Sequence, residues 1–165
     1  MSHGLPNPPS EPRPQRDVEC LAPKFRARVV AMLAALSAAG FDPVISESCR
    51  TQERQEWLYG FGRDWDDGRG VVTNAPNELH SWHGYGLAVD VISQQHGWEP
   101  SPRFWQQLGE CARAEGLAWG GDWPKFPDRP HVQAGRPMRQ APSKRAAELL
   151  AVGGFEAVWK EVGAL

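Results

Sequence analysis

The amino-acid sequence predicts a single α+β domain in which helices flank a small antiparallel sheet. Segments with helical spacing are segregated around a few short strand-like segments, and we find neither an internal repeat nor a second domain. A chain of 165 residues can bury one core, and its 41% hydrophobic and 23% charged residues are typical of a folded protein. We assign residues 1–18 to a flexible, Pro-rich N-terminal arm and residues 19–165 to the domain with its C-terminal helices.

The first helix is predicted over residues 22–39, where apolar side chains recur with helical spacing. Pro23 suits its first turn, and Gly40 suits its C-terminal stop. The following segment, FDPVISESC, predicts a short strand. A second helix is predicted in TQERQEWLYGFG with Thr51 as its N-cap. Residues 62–80 are rich in Gly, Asp, Asn and Pro and predict a long loop of a kind that is often functional.

The second half of the chain begins with LAVDVI, which predicts a buried strand, and the clearest helix follows in SPRFWQQLGECARAEG. Ser101 is expected to cap this helix, Pro102 to occupy its first turn and Gly116 to end it. Its expected inner face consists of Phe104, Leu108, Cys111 and Ala112. The segment LAWGGDWPKFPDRPHVQ has strand-like ends around a Gly- and Pro-rich middle. From Ser143 onward we predict two short helices that are broken at Gly153-Gly154.

Charge and hydropathy exclude several classes of protein. The net charge is −2, so there is no bulk electrostatic case for binding nucleic acid. No apolar run approaches the length of a membrane span. The N-terminal sequence lacks the apolar core of a signal peptide, so we expect delivery outside the cytoplasm to need a route other than a Sec signal.

Three cysteines, Cys20, Cys49 and Cys111, are present. Their odd number and the absence of CxxC spacing argue against a disulfide framework and against a Cys-based zinc site. We therefore expect all three to be buried thiols.

The segment SWHGYGLAVD places a histidine in a Gly-flanked turn and a carboxylate within an apolar strand. Strand alternation puts Asp90 on the face opposite Val89 and Val91. A carboxylate buried there is costly unless it is paired or bound to a cation. Taken alone, the pattern also allows an Asp–His hydrogen bond or a salt bridge from Asp90 to an arginine.

A second segment, PDRPH, supplies Asp128 and His131 on a loop that is stiffened by prolines. A zinc enzyme needs three protein ligands and one open position, and His83, Asp90 and His131 would supply two imidazoles and one carboxylate. This set leaves Asp128 as a spare carboxylate that could act as general base and acid. The nearby His80 is a rival to His83 as a ligand.

The pattern SxHxxGxAxD resembles the signature of the LAS zinc metallopeptidases, and it is formed here by Ser81, His83, Gly86, Ala88 and Asp90. This group includes D-alanyl-D-alanine carboxypeptidases and phage endolysins. The segments SCRTQERQEWLYGFGR, VVTNAP, SWHGYGLAVDV, GLAWGGDW and FPDRPHVQ occur in the order found in the peptidoglycan L-alanyl-D-glutamate endopeptidases. The resemblance covers about residues 25–134 and implies the fold of the hedgehog and D-Ala-D-Ala peptidase domains.

The resemblance also implies roles for individual residues. His83, Asp90 and His131 would bind one Zn²⁺, and Asp128 would be the general base and acid. Arg50 would be a cation near the scissile carbonyl, where it could stabilise oxyanion charge. For Arg50 a salt bridge to Asp128 or Glu47 is the alternative. We further expect five residues to contact the substrate: Ser81, Trp82, Tyr85, Trp119 and Trp123.

The function implied is hydrolysis of the L-Ala-D-Glu bond in the peptidoglycan stem peptide by an endolysin. Two alternatives stay open: a D-alanyl-D-alanine carboxypeptidase of the same fold, and a non-catalytic zinc-containing module that binds the cell wall. The endolysin resemblance implies a monomer that accumulates in the host cytoplasm and reaches the periplasm through a holin pore. Residues 129–147 hold five basic residues and no acidic ones, so they form either a solvated face or a surface for anionic envelope polymers.

Overall fold

The computed structural model describes residues 4–136 and 138–165, in which four short strands form one antiparallel sheet. The strands are β1 (Pro43–Glu47), β2 (Ala88–Ser93), β3 (Ala118–Trp119) and β4 (His131–Gln133), and they are arranged in the order β1-β2-β4-β3. Valine and isoleucine predominate at the centre of β1 and β2, where branched side chains suit a pleated surface. The predicted small antiparallel sheet is confirmed.

The described residues also form four α-helices, in agreement with the α+β prediction. They are α1 (Pro23–Ala38), α2 (Gln52–Tyr59), α3 (Pro102–Ala114) and α4 (Lys144–Glu161). Gly154 interrupts α4 with a φ of 70° and a ψ of −168°, so the predicted break near Gly153-Gly154 is confirmed. No helix in the described residues is long and apolar enough to cross a bilayer.

The N-terminal ends of α2 and α3 differ in how they are capped. The hydroxyl of Thr51 accepts a hydrogen bond from the Arg54 amide (3.2 Å), as predicted for an N-cap. Ser101 occupies the N-cap position of α3, but its side chain makes no capping hydrogen bond. The amide of Phe104 donates instead to the backbone carbonyl of Ser101 (3.0 Å), so Ser101 holds the predicted N-cap position without a side-chain cap.

The hydrophobic core lies between the helices and one face of the sheet. Val89 and Val91 of β2 are fully buried in the same cluster as residues from α1 and α3. The predicted inner face of α3 is confirmed, because all four of its residues are buried: Phe104, Leu108, Cys111 and Ala112. Asp90 lies on the opposite face of β2, as strand alternation requires. The core thus supports one face of the sheet and leaves the other for polar groups.

A disulfide joins Cys20 to Cys49, so the expectation of three buried thiols is wrong for these two residues. Their Cα atoms lie 6.2 Å apart although 29 positions separate them in the sequence. Cys20 reaches the end of β1 because the amide of Ala22 donates to the carbonyl of Gly86 in the adjacent turn (3.0 Å). Cys111 is a free and buried thiol, as predicted.

The N-terminal arm, which we predicted to be flexible, contains no helix or strand from residue 4 to residue 18 but lies against α2 and the end of β1. The indole N–H of Trp57 donates to the carbonyl of Pro9 (2.9 Å). The amide of Ser48 donates to the carbonyl of Gln15 (2.8 Å). These hydrogen bonds give the arm a defined path along the domain.

Candidate metal centre and active site

Three side chains from separate parts of the sequence converge on the polar face of the sheet. His83, Asp90 and His131 each offer one ligand atom, and these atoms lie within 4.8 Å of one another. Asp90 of β2 and His131 of β4 are direct cross-strand partners. His83 comes from the 3₁₀ turn Trp82–Tyr85, which Gly86 ends in the left-handed conformation (φ 68°). A Cβ atom at Gly86 would lie 2.8 Å from the carbonyl oxygen of Cys20, so this tight turn requires glycine.

Each imidazole has one nitrogen held by the protein and the other near Asp90. Nδ1 of His83 donates to the carbonyl of Ser48 (2.8 Å), and its Nε2 lies 3.4 Å from Oδ1 of Asp90. Nε2 of His131 is 2.8 Å from Oε1 of Gln133, and its Nδ1 lies 3.6 Å from the same oxygen of Asp90. In each ring an acceptor binds the nitrogen that faces away from Asp90, so that nitrogen carries the proton of the neutral imidazole. The nitrogen near Asp90 then carries a free lone pair.

The Gln133 amide is itself oriented by a further hydrogen bond. Its nitrogen donates to the carbonyl of Arg139 (2.8 Å), which turns its oxygen toward His131. This assignment of oxygen and nitrogen fixes Nε2 of His131 as the protonated nitrogen. A hydrogen bond of this kind orients a metal-binding histidine and increases its basicity.

The carboxylate of Asp90 is almost buried, with 13% of its side chain exposed. Burial raises its pKa, but the adjacent imidazoles of His83 and His131 hold the pKa well below its usual value. Arg50 adds a cation 3.6 Å from Oδ2 of Asp90. The Asp–His contacts and the arginine salt bridge that the sequence left open are therefore both present, on a carboxylate that is held in its charged form.

Asp128 lies at the exposed rim of this cluster, where the charges of Asp90, His131, His83 and Arg50 act on its carboxyl group. Desolvation of the carboxyl group and the negative charge of Asp90 raise the pKa of Asp128 above its ordinary value. Its backbone is fixed by the amide, which donates to the carbonyl of Gly120 (2.9 Å). The structure thus brings Asp128 near the three candidate ligands without placing it among them.

Arg50 is buried beside the cluster and makes most of its contacts with protein acceptors. Its Nε donates to Oε1 of Glu47 (2.8 Å), and a terminal nitrogen donates to the same oxygen (2.5 Å). The other terminal nitrogen donates to Oε1 of Gln55 (2.9 Å). The alternative of a salt bridge to Glu47 is therefore observed, and it coexists with the position of Arg50 next to Asp90.

Two of the five predicted substrate contacts are buried core residues, which does not support that role. Trp82 is 5% exposed and donates its indole N–H to the carbonyl of Arg139 (2.9 Å). Tyr85 is fully buried and donates its hydroxyl to the carbonyl of Leu79 (3.0 Å). Both side chains lie in the same 3₁₀ turn as His83 and belong to the hydrophobic core. Ser81 is half-buried at the start of the same turn.

The other two predicted contacts, Trp119 and Trp123, are half-buried and differ in their relation to the site. Trp119 donates its indole N–H to the carbonyl of Arg129 (2.7 Å), so it supports the loop that carries Asp128. The ring of Trp123 lies 5.0 Å from the ring of His131. Trp123 is thus the aromatic side chain that borders the candidate ligands.

The remaining sequence candidates lie elsewhere. His80 is exposed and its Nδ1 lies 2.7 Å from Oδ1 of Asn77, outside the cluster, so it is not a rival to His83. Three of the five basic residues of 129–147 border two neighbouring cavities, which share Glu161 and Val162. Arg136 borders a cavity of about 300 Å³ together with Lys24, Arg28 and Lys160. Arg139 and Arg145 border a second cavity of about 220 Å³.

Sequence reasoning missed several polar residues that hold the site together. Gln133 lies two positions after His131 in a strand, and this spacing, which puts both side chains on one face, was an available signal. Glu47 and Gln55 flank Arg50 in the sequence, but nothing local indicates that they bind it. The carbonyl of Ser48, a backbone group, carries no sequence signal.

Comparisons with known proteins identify peptidases as relatives of this chain. A family model of the M15 peptidases, described as D-alanyl-D-alanine carboxypeptidase, matches residues 74–134. The peptidoglycan L-alanyl-D-glutamate endopeptidase CwlK of Bacillus subtilis (strain 168) is 32% identical over 124 residues, which are 68% of this chain and 72% of that protein. The L-alanyl-D-glutamate peptidase of Listeria phage A118 is 26% identical over 121 residues, which are 71% of this chain but 39% of that protein.

Among solved structures, the vancomycin resistance D,D-pentapeptidase VanY in complex with Zn(II) is similar with a TM-score of 0.50 and 16% identity. The match covers 93% of this chain and 96% of that chain. At this level of identity the likeness concerns the fold.

Proposed function

Because this chain belongs to the M15 family of metallopeptidases, we propose that it is a zinc-dependent peptidoglycan endopeptidase that hydrolyses the L-Ala-D-Glu bond of the stem peptide. Two relatives are named as L-alanyl-D-glutamate peptidases, one from a bacterium and one from a phage. Their names support this bond as the point of cleavage. The description of the family model supports a D-alanyl-D-alanine carboxypeptidase as the second candidate.

The observation that carries the proposal is the convergence of His83, Asp90 and His131 with their free lone pairs directed to one place. Two neutral imidazoles and one carboxylate suit Zn²⁺ and leave a fourth position open. The structural neighbour in complex with Zn(II) is consistent with this ion. When bound, Zn²⁺ would polarise the scissile carbonyl and lower the pKa of water to about 7.

The side chains around the candidate ligands supply the remaining chemistry. Asp128 would take the proton from the attacking water and pass it to the leaving amine. Its raised pKa makes its carboxylate a stronger base than an ordinary aspartate. Arg50 keeps N–H groups beyond those bonded to Glu47 and Gln55, and these could stabilise negative charge on the carbonyl oxygen.

The proposal is tested by zinc content and by mass spectrometry of products from purified peptidoglycan. His131→Ala should lose both zinc and cleavage, whereas His80→Ala, which changes an exposed histidine outside the cluster, should keep both. Asp128→Ala should keep zinc and lose cleavage by about 10²- to 10⁴-fold. Stem peptides that begin at D-glutamate would identify the bond.

Other outcomes would lead to different conclusions. Release of free D-alanine would identify the carboxypeptidase instead. Zinc without any cleavage would indicate a wall-binding module, and an Asp128→Ala variant that still lyses walls would contradict the role of Asp128.

We also propose that the protein acts as a monomeric endolysin that accumulates in the host cytoplasm and reaches the periplasm through a holin pore. The similarity to a phage peptidase supports this role. Expression alone should leave cells intact, and co-expression with a holin should lyse them. Lysis without a holin would contradict the proposed route.

A further inference from the structure

A β-bulge in β1 brings a second carboxylate next to the candidate ligands. Ile45 pairs with Val91, but the next paired residue in β1 is Glu47, which lies opposite Asp90. Ser46 is therefore the extra residue, and its hydroxyl donates to the carbonyl of Asp90 (3.3 Å). Without the bulge, regular pairing would place Ser46 opposite Asp90 and turn Glu47 toward the core. The bulge thus aims Glu47 at the polar face of the sheet.

Like charges on directly opposed strand residues destabilise a sheet, and Glu47 and Asp90 are such a pair. Arg50 resolves this conflict because one of its terminal nitrogens lies 2.5 Å from Glu47 and 3.6 Å from Asp90. The guanidinium is therefore held between the supporting carboxylate and a candidate ligand. Its orientation depends on Glu47, which accepts from two of its nitrogens.

The second oxygen of Glu47 is held by the N-terminal arm through another arginine. Nε of Arg54 donates to Oε2 of Glu47 in a buried contact. A terminal nitrogen of Arg54 donates to the carboxylate of Glu11 (3.0 Å) and to the carbonyl of Pro12 (2.8 Å). Continuous contacts thus lead from the arm through Arg54 and Glu47 to Arg50.

We propose that Glu47 is a positioning residue for Arg50, and that the N-terminal arm is a working part of the active site because it fixes Glu47 through Arg54. This inference rests on the proposed function, because that function is what gives Arg50 a role in the reaction. The side chain of Glu47 is 4% exposed and that of Arg50 is 9% exposed, so each depends on protein partners rather than on water. A guanidinium that carries transition-state charge must be held in place before the reaction, and two buried acceptors do so here.

The test compares Glu47→Gln and Glu11→Gln with a matched control, Glu19→Gln. Glu19 is an exposed carboxylate that pairs with Arg26 near the arm and has no contact with Arg50 among the described residues. Glu47→Gln should lower kcat by about 10- to 100-fold with little change in KM and with zinc content unchanged. Glu11→Gln should lower kcat by about twofold to fivefold, because Glu11 is 55% exposed. The control should equal the wild type.

A second readout, hydrogen exchange of the Arg50 Nε–H measured by NMR, does not depend on activity. The resonance can be assigned with Arg50→Lys. In the wild type the Nε–H should be protected by Glu47, and Glu47→Gln should accelerate its exchange by at least about tenfold, since the charged acceptor is lost. Glu11→Gln should accelerate it to a smaller extent, and Glu19→Gln should not.

The outcomes separate this inference from the proposed function. Wild-type exchange and wild-type kcat in Glu47→Gln would overturn the positioning role. If Glu47→Gln does not fold, Glu11→Gln decides, because exchange and kcat equal to those of Glu19→Gln would overturn the role of the arm. If the wild type cleaves no peptidoglycan, the proposed function fails, and the exchange rates alone support or refute the positioning of Arg50.

Discussion

Loss of the Cys20–Cys49 disulfide should destabilise the protein by an amount that follows from its loop length. The bond closes a loop across 29 residues that contains α1 and β1. A cross-link lowers the entropy of the unfolded chain, and the usual dependence on loop length gives about 3.6 kcal/mol at 25 °C for this separation. For a domain of this size, such a loss corresponds to a fall in Tm of about 7–14 °C.

The double variant Cys20→Ser/Cys49→Ser, measured by urea denaturation with and without reductant, tests this magnitude. The wild type should lose about 3–4 kcal/mol on reduction, and the variant should be equally destabilised but insensitive to reductant. The unfolded wild type should show a single reactive thiol, that of Cys111, before reduction. Three reactive thiols before reduction, or equal stability with and without reductant, would refute the reasoning.

Three further predictions concern the metal centre and the charged surface. Gln133→Met should weaken zinc binding by about 10- to 100-fold in a chelator competition, because His131 loses the acceptor that orients it. Gln133→Glu should keep that acceptor. Equal zinc affinity of the two variants would contradict this role of Gln133. Burial lowers the pKa of His131, but a hydrogen bond and the charge of Asp90 raise it above its ordinary value. A proton therefore competes with zinc as pH falls through this raised pKa, and zinc affinity should fall by about tenfold per pH unit below it; a constant affinity from pH 8 to pH 5 would contradict it. If the basic residues of 129–147 attract anionic envelope polymers, lysis of isolated walls should weaken with added salt, and salt-independent lysis would leave them as a solvated face.

Much of the fold was predictable because its signals are local. The helical spacing of apolar residues marked α1 and α3, and alternation in LAVDVI put Asp90 opposite the buried Val89 and Val91. The candidate ligands were also predictable, since a Gly-flanked turn, a strand and a proline-bounded loop each carry one of them. These features depend on residues close together in the chain.

The errors concern contacts between distant segments. The sequence spacing of Cys20 and Cys49 contains no signal that they pair, because they meet only where residues 20–22 pack against the turn at Gly86. Trp82 and Tyr85 flank His83 in the sequence, yet the 3₁₀ turn directs them into the core. Which aromatic side chains face a site is decided by turn geometry, which composition does not reveal.

The sequence by itself therefore determined the fold class, the helices and the three candidate ligands, since each follows from the conformational preferences of a short segment. Only the tertiary structure decided how those ligands are supported. The bulge at Ser46 turns Glu47 toward Arg50, and the arm reaches Arg54 from more than forty residues away in the sequence. Such contacts depend on strand register and on the meeting of distant segments, and both are fixed by packing of the whole chain rather than by any local pattern.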